Sequence, residues 1–76
     1  MDEGAILHEL GTRIRAQRKR IGLTQEALAL EANVDRSYYG AVERGERNIT
    51  FTVLCRLCNA LKCDVAALTS ELPTPV

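Results

Sequence analysis

The chain has 76 residues, with ten basic and ten acidic side chains and a formal net charge of zero. A chain of that length makes one domain, spanning residues 1–76, whose own core gives only marginal stability. Such a core is too small to enclose a substrate pocket, and a second subunit would help to stabilise it.

Three cysteines make an odd number, unsuited to a disulfide framework, and neither a leader segment nor an apolar run of membrane-spanning length is visible. A reducing cytoplasm is the expected compartment, with no membrane contact. Leu, Ala, Glu and Arg dominate and β-branched runs are absent, so an all-α domain is expected. Zero net charge would suit a nucleic-acid binder poorly, but the charges are segregated. Arg13, Arg15, Arg18, Lys19 and Arg20 follow one another without an acid, while Asp2, Glu3, Glu9, Asp64 and Glu71 lie towards the ends. A folded chain can therefore show a positive face on a neutral whole.

In chain order, residues 1–4 are expected to fray. From Ala5, the positions Ile6, Leu7, Leu10, Ile14 and Ala16 mark a first amphipathic helix ending near Ile21 and Gly22. Its other face carries Arg13, Arg15, Lys19 and Arg20, with His8 on the surface near its start. Thr24 is an N-cap for a second helix, and Leu28, Ala29 and Ala32 give that helix one buried stripe. Asn33 tolerates positive φ and can close it sharply.

Val34 points inward, and Asp35 caps a third helix running to Arg44, with Gly45 just past its end. Two short helices joined by a tight turn, with the small Ala29 where they approach, form a helix-turn-helix. The second helix of such a unit can enter the major groove of double-stranded DNA with its first turn exposed to base edges. Arg36 offers bidentate donors suited to guanine, Ser37 a short hydroxyl, and Tyr38 a ring for thymine methyls or a hydroxyl for phosphate. Tyr39 should face the core, and its hydroxyl needs a partner there or at the surface. Gly40 costs about 1 kcal/mol relative to alanine inside a helix. Ala41 is expected on the exposed surface.

Thr50 caps a fourth helix whose apolar stripe is Phe51, Leu54, Leu57, Cys58 and Leu61. Asp64 caps a fifth, from Val65 to Ser70, and Pro73 and Pro75 end ordered structure, so residues 73–76 should fray. Cys55 and Cys58 have C-x2-C spacing but sit inside a helix, with His8 far away in sequence. They read as small hydrophobes, so no metal or other cofactor is expected. No catalytic constellation is present, and an enzyme is not expected.

The framing motif, T-Q-E at residues 24–26 and E-R-G at residues 43–45, resembles that of the lambda-repressor/Cro-like regulators. The resemblance extends from about Leu10 to Leu68. The run DRSYYGAVERGERNIT is similar to the recognition segment of restriction–modification controller proteins, single-domain homodimers that regulate their own operon through paired operator sites. The resemblance implies a compact five-helix domain, palindromic operators, a homodimer and, for a transcription regulator, a contact with RNA polymerase. It pairs Arg18 with Glu43 to fix the first helix against the recognition helix. It also assigns Gln25 to a phosphate at the start of the second helix, and Arg47 and Asn48 to the sugar-phosphate backbone. Arg44 either contacts that backbone or neutralises Glu46. Val65, Leu68 and Leu72 are more apolar surface than so short a helix can bury, and the resemblance places the dimer interface there. A phage-type repressor and an antitoxin-like protein-interaction module are the alternatives on the same fold.

Overall fold

Five helices follow in chain order: α1 (Glu3–Arg20), α2 (Gln25–Ala32), α3 (Arg36–Glu43), α4 (Phe51–Leu61) and α5 (Val65–Thr69). The structure, a computed structural model, describes residues 1–74, and none of these is in a strand. Pro75, expected to lie in a frayed end, falls outside the described residues.

The caps are where the sequence puts them. The side chains of Thr24, Asp35, Thr50 and Asp64 accept from the backbone N–H groups of Ala27, Tyr38, Val53 and Ala67 at 3.0, 3.0, 3.2 and 2.9 Å. Each satisfies a donor that the helix itself cannot reach. Asn33 closes α2 in the left-handed region at φ 57°. Gly45 turns the chain out of α3 at φ 77°, where a Cβ would also come within 2.7 Å of the His8 Cα. Lys62 closes α4 at φ 59°, a position that nothing in its residue type announces.

The first helix begins two residues before Ala5. Asp2 caps α1 by accepting from the Ala5 N–H at 2.8 Å, and Gly4 is already helical. The acidic Glu3 in the first turn suits the positive end of the helix dipole.

Leu10, Ile14, Leu28, Ala29, Ala32, Tyr39, Val42, Leu54, Leu57, Leu61 and Leu68 form one buried cluster to which all five helices contribute. Ala16 is exposed and takes no part. Phe51 leaves the expected α4 stripe as well: its ring is 67% exposed. Gly11 brings α1 against the end of α3, because a Cβ there would overlap the carbonyls of Val42 and Glu43. At the far side, α1 ties down the carboxyl ends of the last two helices. Arg13 donates to the carbonyls of Leu68 and Ser70 at 3.3 and 2.6 Å, and Gln17 donates to that of Leu61 at 2.9 Å. Arg13 is thus a C-terminal cap for α5 and not part of a free basic face.

Candidate nucleic-acid interface

The orientation of α3 is set from beneath by Glu43. Its carboxylate accepts from the Arg18 guanidinium at 2.6 and 3.1 Å and from the Gln25 side-chain amide at 2.9 Å. The Arg18 and Glu43 side chains are 9% and 2% exposed, so the pair is a buried one. Arg18 also donates to the Leu23 carbonyl at 2.9 Å, which locks the loop before α2 to the same centre. One carboxylate therefore joins α1, α2 and α3. Burial would raise the Glu43 pKa, but Arg18 first, then the neighbouring Tyr39 hydroxyl and Gln25, outweigh it and hold the carboxyl below its usual range. The same carboxylate holds the Arg18 pKa above its ordinary value against the effect of burial.

Tyr39 lies fully buried next to this pair. Burial first, and the neighbouring Glu43 carboxylate second, push its phenol well above the ordinary range, so it stays neutral. Its hydroxyl is near enough to feel both charges yet meets no hydrogen-bond geometry, so the partner expected for it is not made.

With that anchor beneath it, α3 turns Arg36 and Ser37 to solvent from its first turn, directly after the Asp35 cap. Tyr38 is half-buried against the core, and the Arg47 guanidinium stacks over its ring at 5.1 Å from the centroid. The residue types suit Tyr38 to thymine methyls or a phosphate, and the resemblance assigns Arg47 to the sugar-phosphate backbone. The structure brings them into one cation–π unit. Asn48 is exposed in the same loop. Arg44 pairs with Glu46 at 3.1 Å, both side chains more than half exposed. Gln25 spends a side-chain N–H on Glu43 at 2.9 Å. A cleft of about 490 Å3 opens beside these residues, lined by His8, Thr12, Arg15, Gln25, Glu43 and Arg44. Arg15, expected on the basic face of α1, thereby shares the cleft lining with Arg44.

Two expectations fail at the surface. Ala41 is buried, not exposed: it sits on the inner side of α3 at 9%. Leu68 is not available to a second subunit, being 2% exposed in the protomer's own core. Five residues of helix suffice to bury it because α1 and α4 both pack on α5. Val65 and Leu72 are half-buried and keep part of their apolar surface outside.

The cysteines divide in the same way: Cys58 is buried, Cys63 intermediate and Cys55 exposed. Burial pushes the Cys58 thiol up to about 12, which leaves it protonated and unreactive. Cys55 is not packed as a small hydrophobe. Among the described residues, no three His, Cys, Asp or Glu side chains are grouped to hold a metal ion, and no helix is long and apolar enough to cross a membrane.

Comparison with known proteins agrees with this geometry. The chain is 41% identical over 59 residues to control protein C.SmaI of Serratia marcescens, covering 78% of this chain and 70% of that one. It is 40% identical over 62 residues to the immunity repressor of Bacillus phage phi105, covering 82% of this chain but only 43% of the repressor. Among solved structures, the restriction–modification controller protein C.AhdI of Aeromonas hydrophila superposes with a TM-score of 0.82 at 42% identity, covering 84% of this chain and 97% of that one. The controller protein C.Esp1396I, solved as a tetramer on its natural 35 base-pair operator, superposes with a TM-score of 0.79 at 31% identity, covering 88% of each chain. The helix-turn-helix family HTH_3 matches residues 14–68, more than half of the chain, and the chain belongs to that family as a DNA-binding regulator related to restriction–modification controllers.

Proposed function

We propose that this chain is the controller of a restriction–modification system: a homodimer that binds palindromic operator sites and regulates its own operon. The observation that carries the reading is the buried Arg18–Glu43–Gln25 centre, which holds α3 so that Arg36 and Ser37 project from its capped first turn. A recognition helix needs that arrangement: a rigid base, and free donors at the end that enters the groove. In this reading Arg36, Ser37 and Tyr38 face base edges, and Gln25, Arg44, Arg47 and Asn48 face the phosphates on either side. Arg47, stacked on Tyr38, couples the two sets.

The second subunit docks on the α4–α5 side. Val65 and Leu72 present apolar surface there, and Phe51 at the start of α4 leaves a large ring in water. Leu68 stabilises that side from within. The operator-bound tetramer of C.Esp1396I supports assembly on DNA in a relative of this fold. The likeness to the phage immunity repressor favours a second reading, a phage-type repressor, which shares the DNA chemistry but not the operon. Footprinting of the DNA upstream of the protein's own reading frame tests the proposal. Protection of paired inverted repeats, beside genes for an endonuclease and a methyltransferase, is the expected result. Protection only at unrelated phage-like promoters supports the repressor reading instead.

A further inference from the structure

Gly40 occupies an interior position of the recognition helix, where glycine weakens a helix and nothing in the backbone requires it. What surrounds it is unusual. A Cβ built there would stand 3.2 Å from the Arg44 Nη1, 3.6 Å from the Gln25 Oε1 and 3.9 Å from the Arg36 Nη1. Gly40 is buried, and these long side chains are its nearest neighbours on that side. Two guanidinium groups thus lean over one bare stretch of helix. Arg44 is answered from its other edge by Glu46, and Arg36 has no acidic partner among the described ion pairs. Like charges that share one notch are held together best by an anion between them.

We propose that Gly40 is a notch in the recognition helix through which Arg36 and Arg44 close together on one DNA backbone phosphate. Gln25, the first residue of α2, turns its side-chain Oε1 to the same notch while its amide N–H is held by Glu43, so the positive charge there comes from the two arginines. A phosphodiester supplies the two acceptor oxygens that a pair of guanidinium edges requires. The other edge of Arg36 remains for a base, so the phosphate aims that side chain as well as anchoring the helix. The inference deepens the DNA-binding reading and rests on it. Gly40 is a positioning residue, acting through the two arginines.

Thermal melting and binding of a random-sequence duplex pool across salt concentrations test this on the full chain, as wild type, Gly40→Ala, Arg44→Gln and the double variant. Gly40→Ala should raise Tm by a few degrees, because it improves the helix and meets only the movable tip of Arg44. It should also flatten log affinity against log salt by about one unit, the loss of one phosphate contact. In the Arg44→Gln background the same substitution should flatten the slope no further. An unchanged slope in Gly40→Ala, or slopes that simply add in the double variant, overturns the notch. So does a lower Tm, since the site would then be one of packing. A wild-type chain without duplex affinity at low salt overturns the DNA-binding reading and the notch with it.

Discussion

Glu43 is the side chain on which the interface turns, because its two oxygens hold α1 through Arg18 and α2 through Gln25. Removing either charge of so buried a pair strands the other, and should cost roughly 3–5 kcal/mol. Glu43→Gln is therefore expected to lower the urea midpoint, and an unchanged midpoint would mean that the pair does not hold the fold. The pH dependence has a fixed sign. Glu43 titrates lower in the folded chain than in the unfolded one, so its contribution is fully present above about 4.3, the ordinary glutamate value. It is lost as pH falls from there through the lower folded value. Wild type should lose stability across that acid window, and Glu43→Gln should show a flatter dependence. At the exposed end of α3, Arg36→Ala should cost about 1–3 kcal/mol on a cognate site and relax base preference at one position per half-site. Arg47→Ala should weaken cognate and scrambled duplexes alike. Equal weakening by Arg36→Ala, with altered preference in Arg47→Ala, would reverse these roles.

At the scale of the elements, what the sequence shows depends on how far apart the partners lie. Thr24, Asp35, Thr50 and Asp64 act within three residues, and Asn33 and Gly45 act on their own φ, so all six could be read in place. Arg18 and Glu43 are 25 residues apart, and only the resemblance of the framing motif joined them. Arg13 and Gln17 went unread as caps because the carbonyls they bind are 44 to 57 residues away. Helical spacing also failed on α5, where one turn of apolar residues cannot tell core from interface. Leu68 therefore gives a sharp test. Leu68→Ala should destabilise the protomer by about 2–5 kcal/mol, as for any buried leucine cut back. Phe51→Asp, at a ring that is 67% exposed, should leave the protomer folded and yield monomers. Sedimentation equilibrium at several concentrations distinguishes the two, and a Phe51→Asp chain that still dimerises would place the interface elsewhere.

For the whole molecule, zero net charge leaves room for a charged face, though not by the run of basic residues alone. Of the five between Gly11 and Arg20, Arg13 and Arg18 are used up inside the fold. The exposed arginines nearest the recognition helix are instead Arg15, Arg36, Arg44 and Arg47, drawn from α1, α3 and the loop after it. Two such surfaces related by a dimer axis would meet half-sites about 34–36 Å apart, one turn of DNA. The most direct test is selection of duplexes from a random pool by the purified chain, followed by sequencing. Inverted repeats with centres one helical turn apart, losing definition at one position per half-site with Arg36→Ala, are the predicted result. Failure to enrich any sequence, or the same repeats with and without Arg36, would contradict the account.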